Sequence, residues 1–380
     1  MAGPLTGVRI VEFSAIGPVP LAAMLLADLG ADVVRVDRVA AAQGRPGLEI
    51  AMLGMARNRT SIAVDLKSPQ GAEVIGRLLD GADVVLEGFR PGVMERLGFG
   101  PDEATARNPR LIFGRMTGWG QDGPLAQRSG HDINYAAVAG ALEAIGPSDG
   151  PPTPPLNYIA DFGGGALYLA LGVVSALYER EQSGLGQVVD AAMVDGTASM
   201  TAMLRGMMTL GMWSDQRGSN SLDGSHPFYR CYETSDGKYV AVGAIEPQFW
   251  AELQLRLGLS ASDWPQYDRT KWDDQHAQLE VIFRTRTRDD WAHLFADSDA
   301  CVAPVLSLLE APQHPANQAR GVYVEVDGFM QPAPAPRLSR TPGEVRHGAP
   351  MSGEHTDEVL TQLGYTPEEL ETLRADDVIG

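Results

Sequence analysis

The sequence has only two cysteines, Cys231 and Cys301, among its 380 residues. Two thiols can form one bridge, but they cannot build a disulfide scaffold or a four-thiolate zinc site. The seven histidines are scattered, with neither a His-Glu-x-x-His motif nor pairs at short spacing. No metal site is therefore predicted.

Long apolar segments are also scarce. The longest stretch without a charged residue, 162–178, contains 17 residues, whereas a membrane-spanning helix needs about 20. We therefore expect a buried helix there and no membrane partner. The first residues lack the basic segment of a secretory signal, and the last lack a Ser-Lys-Leu-type peroxisomal ending. A cytoplasmic location is the expectation.

The sequence contains fewer basic than acidic residues, and the difference is unevenly distributed along the chain. The formal net charge is −19. Residues 1–120 contain 13 basic and 13 acidic side chains, so the whole acidic excess falls in residues 121–380. A chain this acidic is a poor match for nucleic acid or for an anionic membrane surface. Its neutral first third can still bind one compact anionic ligand.

Two common nucleotide-binding motifs are missing as well. The phosphate loop G-x-x-x-x-G-K-[ST] does not occur, and the first predicted strand is followed by GPVPLA at 17–22 rather than by G-x-G-x-x-G. A standard nicotinamide site is therefore disfavoured.

What the chain does contain is an alternation of strands and helices. The segment GADVVRV at 30–36 is echoed by GADVVLE at 81–87. Helical periodicity predicts helices over 19–29 and 69–80. Apolar runs predict strands over 8–13, 33–36, 84–87, 111–115 and 187–191. This order predicts an α/β fold with a Rossmann-like parallel sheet covered by helices on both faces.

Two turn-rich stretches predict a second domain. A smaller α+β unit begins near Tyr239, where the strand YVAVGAI precedes a helix over 247–257. The predicted organisation is a large domain of residues 1–212 with 330–380, a small domain of residues 238–325, and connectors at 213–237 and 326–350.

Arginines follow two of the predicted strands. Arg38 comes after strand 33–36 and Arg90 after strand 84–87. The carboxyl ends of parallel strands share one edge of a sheet, so both are expected at one crevice. Further cations that could join them in clamping phosphates, or that could be ordinary solvated surface residues, are Arg57, Arg59, Lys67, Arg96 and Arg115.

Three titratable groups stand at predicted helix starts. Ser129 is a plausible N-cap, which places His131 and Asp132 in the first turn of a helix over 131–143. Asp161 would cap a helix over 163–182, and Glu246 precedes Pro247 at a strand-to-helix junction. These groups either converge for acid–base chemistry or serve only as caps, and spacing alone leaves both readings open.

Many ordered motifs resemble those of the α-methylacyl-CoA racemases, within the family III CoA-transferase superfamily. The resemblance spans about residues 8–310 and rests on VEFSAIGPVPLAAMLLADLGADVVRVDR, GFRPGVMERLGFGP, RMTGWGQDGP, GHDINY, PPLNYIADFGGG, GKYVAVGAIEPQFW and SDACVAPVL. It implies an interlocked homodimer, an acyl-CoA substrate whose nucleotide binds the large domain, and no separate cofactor.

The resemblance also implies site residues. His131 and Asp161 match the catalytic acid–base pair, and Glu246 matches an acid that supports the histidine, in its own or the partner's site. Positions that match contacts to CoA are Arg38, Val64, Asp65, Leu66, Lys67, Arg90, Arg96, Gly130, His131, Asp132, Ile133, Asn134 and Tyr135.

Racemising a 2-methylacyl thioester requires two groups that flank one carbon and hold one proton between them. Ordinary pKa values are about 6.5 for His and about 3.9 for Asp. Because a capping position favours a carboxylate, we expect Asp161 to be ionised at rest and His131 to carry the proton. Backbone N–H groups around Asp132 are the expected donors to the enolate oxygen.

Two other functions stay open from the sequence. A family III CoA-transferase would use Asp161 as the nucleophile that accepts the acyl group. A non-catalytic acyl-CoA-binding protein would need neither His131 nor Asp161.

Overall fold

The computed structural model describes residues 3–43 and 53–380. Its strands are β1 (Arg9–Phe13), β2 (Asp32–Asp37), β3 (Arg59–Ala63), β4 (Val84–Glu87), β5 (Ile112–Thr117), β6 (Val188–Ala192), β7 (Tyr229–Glu233), β8 (Tyr239–Gly243), β9 (Val302–Pro304), β10 (Tyr323–Val326) and β11 (Phe329–Pro332). Its helices are α1 (Pro18–Asp28), α2 (Val39–Ala42), α3 (Pro69–Asp80), α4 (Val93–Arg96), α5 (Pro101–Arg107), α6 (Asp132–Val138), α7 (Leu167–Ser183), α8 (Met193–Met200), α9 (Ala202–Thr209), α10 (Pro247–Leu257), α11 (Trp272–Phe283), α12 (Arg288–Phe295), α13 (Pro315–Arg320), α14 (Thr356–Gln362) and α15 (Pro367–Ala375).

The chain divides into two compact units. Unit 1 comprises residues up to 139, 155–200 and 321–380, and unit 2 comprises residues 140–154 and 201–320. The domain bounds drawn from the sequence stay a prediction.

Unit 1 is built around a six-stranded parallel sheet in the order β3-β2-β1-β4-β5-β6. This confirms the predicted α/β fold with a Rossmann-like sheet, because strand order reverses between β1 and β4 as in that fold. The strand β3 is absent from the sequence prediction. Its residues RTSIA begin with a charged and a hydroxyl side chain, which hides the apolar signal of a sheet strand.

The core of unit 1 joins the sheet to helices from both ends of the chain. In α3 the Ser68 hydroxyl accepts a hydrogen bond from the Gly71 N–H at 2.9 Å, which caps the helix start. Apolar side chains of α3, such as Val74 and Leu78, pack with strand residues, and Leu360 of α14 and Leu373 of α15 join the same cluster. Residues near 379 therefore lie beside β3, where Val64 pairs with Ile379.

Unit 2 contains a three-stranded antiparallel sheet in the order β7-β8-β9. Its core is rich in aromatic side chains, because Trp250 of α10, Phe283 of α11 and Trp291 of α12 pack with Phe228 and Tyr232. Large aromatic rings bury much apolar area per residue, which suits a small unit.

Three arginines assigned as phosphate-binding or surface residues are buried in ion pairs. Arg57 Nη2 lies 2.6 Å from Asp28 Oδ2, Arg59 Nε lies 3.0 Å from Glu12 Oε2, and Arg115 Nε lies 2.9 Å from Glu87 Oε1. Both expectations from the sequence are wrong for these three residues. Their guanidinium groups pair with carboxylates of other elements inside unit 1, so they are not available to a phosphate group.

One helical stretch, residues 158–183, is long and apolar enough to cross a membrane by length and composition alone. The core helix of a folded protein passes the same test, so this feature carries little weight. The stretch is less than half buried, and the prediction of a buried helix over 162–178 holds for only one of its faces. Four large apolar side chains at helical spacing are exposed, namely Leu167, Leu171, Val174 and Tyr178.

The Glu12–Arg59 pair provides a stability test. Replacing Arg59 with Met leaves the Glu12 carboxylate buried without a partner, so we expect the free energy of unfolding to fall by about 3–5 kcal/mol. Urea denaturation followed by circular dichroism measures this change. Replacing Arg374, which pairs with Asp357 on the surface, with Met is the control and should change little. Equal small effects of both substitutions would contradict a structural role for the buried pair.

Candidate active site

Two cavities lie in unit 1 at the edge where the parallel strands end. The first, of about 900 Å³, is lined by residues that follow β1, β2, β3 and β4. The second, of about 670 Å³, is lined by residues that follow β1, β4, β5 and β6. Both cavities share Ile16, Gly88 and Phe89, which follow β1 and β4. These two strands flank the point where strand order reverses, and ligands of open α/β sheets bind there.

The first cavity holds one group of the predicted CoA contacts. Arg38 lines it from the end of β2, and Val64 to Lys67 line it from the end of β3. The residue after β2 and those after β3 reach one crevice because the strands are parallel and adjacent. Asp377 also lines this cavity. Its walls therefore carry two cationic side chains, Arg38 and Lys67, and three acidic ones, Asp37, Asp65 and Asp377. Apolar residues such as Val93 and Leu97 complete the lining.

The second cavity holds His131, Asp161, Arg90, Gly130 and Tyr135. The structure thus brings together two residues predicted to exchange protons, although 30 positions separate them in the sequence. Such convergence is what an acid–base pair requires and what separate helix caps do not.

The helix at this cavity begins differently from the prediction. His131, rather than Ser129, is the N-cap residue of α6, and its backbone N–H donates to the Asn134 side-chain oxygen at 3.0 Å. The Ser129 hydroxyl instead accepts a hydrogen bond from Arg90 Nη2 at 2.7 Å. The helix also ends at Val138, short of the predicted 143. His131 therefore stands at the exposed edge of the helix, where its ring can face the cavity.

Asp161 lies inside a helix and is not an N-cap. The π-helical segment Tyr158–Ala166, hereafter the π segment, precedes α7 directly. Three glycines follow Asp161 because α8 approaches closely: a Cβ on Gly164 would lie 2.5 Å from the Thr197 hydroxyl oxygen. The neighbour that approaches these glycines closely is therefore another helix. On the cavity side, a Cβ on Gly17 would lie 3.3 Å from Asp161 Oδ2.

The side chain of Asp132 joins α6 to the π segment. Its Oδ2 atom accepts hydrogen bonds from the backbone N–H groups of Ala160 at 2.7 Å and Asp161 at 2.8 Å. Asp132 is only 5% exposed. Among the described residues, its Oδ1 atom is buried without a hydrogen-bond partner. One carboxyl group therefore fixes the backbone of Asp161 relative to the helix that begins at His131.

Burial, the largest cause, and the negative charge of Asp132 together raise the pKa of Asp161 to about 6. A hydrogen bond from the Asn157 side chain and the charge of His131 act in the opposite direction. The expectation that Asp161 is ionised and His131 protonated at rest stays a prediction, although the raised pKa makes Asp161 easier to protonate than an ordinary Asp. Its premise fails because Asp161 does not cap a helix, and its carboxyl group is free to take a proton.

The ring of Tyr135 lies against the backbone of two glycines, where a larger residue would leave it no room. A Cβ on Gly118 would lie 2.0 Å from a ring carbon of Tyr135, and a Cβ on Gly130 would lie 2.6 Å from the same carbon. The ring of Trp119 meets that of Tyr135 edge-on, with centroids 4.8 Å apart. Burial and the charge of Asp161 raise the pKa of Tyr135 to about 12. The phenol is thus a neutral hydrogen-bonding group throughout the physiological range.

Several predicted site residues do not line either cavity. Arg96 is exposed on α4, whose neighbours Val93 and Leu97 do line the first cavity. Ile133 and Asn134 are exposed on α6. Glu246 is the exposed N-cap residue of α10 in unit 2, and its proposed support of His131 stays a prediction.

Other lining residues were missed by the sequence analysis. Those of the second cavity include Ile16, Gly17, Val19, Trp119, Arg128, Asn157 and Met193. A signal was available for the first three, because a Gly-Pro pair after the first strand marks a helix start at the carboxyl edge. Within residues 3–43 and 53–380, no group of three or more His, Cys, Asp or Glu side chains has an arrangement that could hold a metal ion.

Comparison with known proteins agrees with this architecture. Residues 5–356 match the family described as CoA-transferase family III. The chain is 45% identical to alpha-methylacyl-CoA racemase of Mus musculus and 43% identical to that of Homo sapiens, with 99% of this chain and 97% of each relative covered. A CAIB/BAIF family protein from Brucella suis superimposes with a TM-score of 0.81 at 26% identity, covering 96% of this chain and 100% of that one. A family match over most of the chain, with relatives similar over nearly their full length, shows that this chain belongs to the family III CoA-transferases.

Proposed function

We propose that this protein is an isomerase that interconverts (2R)- and (2S)-2-methylacyl-CoA thioesters by moving the proton at C2. The observation that carries the proposal is the meeting of His131 and Asp161 in one cavity at the carboxyl edge of the sheet. The names of the mouse and human relatives support the same substrate class. The acyl-CoA is the only small molecule that the proposal requires, and CoA enters as part of it.

The nucleotide of CoA is assigned to the first cavity. Arg38 and Lys67 offer positive charge there for phosphate groups, and Val93 and Leu97 offer apolar surface. The shared wall at Ile16, Gly88 and Phe89 leads into the second cavity. A thioester that extends from the first cavity past this wall reaches the residues of the second.

In the proposed reaction, one member of the pair acts as base and the other as acid. The base takes the C2 proton, and the electrons of the C–H bond form the enolate, with the charge on the thioester oxygen. Backbone N–H groups around Asp132 are the proposed donors to that oxygen. The acid then protonates C2 on the opposite face, so the pair again holds one proton, now on its other member. The reverse reaction starts from that state.

The pKa of Asp161 suits both roles. A value of about 6 lies close to that of an ordinary imidazole, about 6.5. Two groups with similar proton affinities can exchange acid and base roles at little cost, which a reaction between two epimers of nearly equal energy needs. The proton belongs to the coupled pair rather than to either residue.

A homodimer and a cytoplasmic location are part of the proposal. The exposed apolar row of α7, with Leu171 and Tyr178 among its members, supports a partner surface, because isolated chains rarely expose aligned large apolar side chains. In such a dimer, Glu246 of one protomer would support the histidine, in its own or the partner's site.

Proton NMR in deuterated water tests the proposed activity. The sample contains the protein and (2R)-2-methyldecanoyl-CoA, with no free acid. Deuterium at C2 together with the 2S epimer is the expected result. No exchange, followed by acyl transfer when a free carboxylic acid is added, would favour CoA transfer through Asp161. Binding with neither reaction would favour an acyl-CoA-binding protein.

Replacing His131 with Ala removes one member of the acid–base pair. We expect inversion to fall by about 10²–10⁴-fold, the contribution of a positioned acid–base group. Exchange of the C2 proton for deuterium, without inversion at C2, should persist for the epimer whose C2 proton faces Asp161. Deuterium uptake from each pure epimer measures this difference, and equal loss from both epimers would contradict a one-sided role for His131.

Replacing Asp161 with Asn tests its raised pKa through stability. An Asp whose folded-state pKa is about 6, above its ordinary 3.8, destabilises the fold once it is ionised, and this cost is complete above about pH 6. The Asn variant should therefore have a higher melting temperature than the parent at about pH 8. The difference should shrink as the pH falls through 6 and disappear below about pH 3, where the Asp is protonated in the folded and the unfolded state. The control is Asp122→Asn, at an exposed position, which should show no such dependence on pH.

A further inference from the structure

We infer that Asp132 is a positioning residue that keeps Asp161 able to carry a proton, by fixing its backbone and by placing a negative charge beside its carboxyl group. This inference rests on the proposed function, in which Asp161 must alternate between acid and base. It assigns to the Asp132 side chain a task distinct from that of the backbone N–H groups around it.

The first support is geometric. Both N–H groups that Asp132 Oδ2 accepts, those of Ala160 and Asp161, belong to the first turn of the π segment. N–H groups in a first helical turn have no partner within their own helix, so an acceptor supplied from elsewhere takes the place of a cap. Asp132 thus supplies from α6 the cap that the π segment lacks, and it binds at Asp161 itself.

The second support is the environment of the other carboxylate oxygen. Asp132 is 5% exposed, and its Oδ1 atom is buried without a hydrogen-bond partner among the residues that the structure describes. Charge on such an atom is poorly screened, so it acts strongly on neighbouring groups. A second carboxyl group at this site is then harder to ionise. The direction agrees with the raised pKa of Asp161.

The other groups around Asp161 do not account for the rise in its pKa that is attributed to the charge of Asp132. The π segment packs against α1, α6, α7, α8, β5 and β6. The charged residue of β5, Arg115, pairs with Glu87 and Glu95. The acidic residue of β6, Asp190, accepts a hydrogen bond from the Gln121 N–H. Helices α1 and α8 present uncharged residues to it, Gly17, Pro18, Met193 and Thr197. The titratable or charged groups that share its cavity or act on its pKa are His131, Asp132, Tyr135, Arg90 and Arg128. Of these, Asp132 is the one whose negative charge raises the pKa of Asp161.

A thermal double-mutant cycle tests the inference without any activity measurement. The melting temperatures of the parent, Asp132→Asn, Asp161→Asn and the double variant are compared between pH 4 and pH 8. Asn retains a side-chain oxygen that can accept the two N–H groups but removes the charge. We expect the pH-dependent gain in melting temperature from Asp161→Asn to shrink clearly in the Asp132→Asn background. An unchanged gain overturns the inference.

The pH profile of kcat/KM for 2-methyldecanoyl-CoA gives a second readout. Removal of the Asp132 charge should move the profile of the pair to lower pH by about one unit. The variant Asn157→Ala removes a donor that favours ionised Asp161 and should move the profile the opposite way. Asp122→Asn removes the same charge from an exposed position and should leave the profile in place. A loss of kcat/KM that is uniform across pH in Asp132→Asn contradicts the electrostatic part of the inference.

The design separates failure of the inference from failure of the proposed function. Absence of C2 exchange in the parent protein refutes the proposed function, whereas the thermal cycle still decides whether Asp132 acts on Asp161. If Asp132→Asn does not fold, Asp132→Ser serves in its place, because serine is also neutral and accepts hydrogen bonds at helix starts.

Discussion

The parallel arrangement of the six strands is the constraint on which the site depends. Parallel strands all end at one edge, so the loops after β1 to β6 meet there although they come from residues 14 to 193. Order reverses between β1 and β4, and the loops that follow these two strands form the wall between the two cavities. A ligand with a nucleotide at one end and a reactive thioester at the other needs two adjoining cavities of this kind.

The basic residues around this sheet fall into two groups, one buried in ion pairs and one lining the cavities. Beneath the edge, Arg57, Arg59 and Arg115 are paired with carboxylates inside unit 1. At the edge, Arg38, Lys67 and Arg90 line the cavities. Buried pairs contribute little net attraction for a ligand, because each guanidinium is already neutralised by its partner. The anion-binding capacity of the site therefore rests on far fewer cations than the sequence contains.

The fold could be predicted from the sequence, and so could the meeting of His131 and Asp161, but the protonation of Asp161 could not. Alternating strand and helix patterns predict the sheet, and GHDINY with ADFGGG points to His131 and Asp161. The pKa of Asp161, however, depends on its burial in the folded chain and on Asp132, which lies 29 positions away. Helical periodicity also does not reveal that the helix begins before Asp161, so that residue resembles a cap. In the same way, sequence cannot distinguish Arg59, paired with Glu12, from a surface cation.

The contact between Gly17 and Asp161 has a consequence for ligand orientation. In dinucleotide-binding folds, the turn between the first strand and first helix receives a pyrophosphate at the helix N-terminus. Here that turn is met by a carboxyl group, with Asp161 Oδ2 only 3.3 Å from the position of a Cβ on Gly17. A pyrophosphate in the usual place would meet a second anionic group. This contact agrees with the proposed placement of the CoA phosphates at the ends of β2 and β3, which leaves the space at the first turn for the carbon that would undergo reaction.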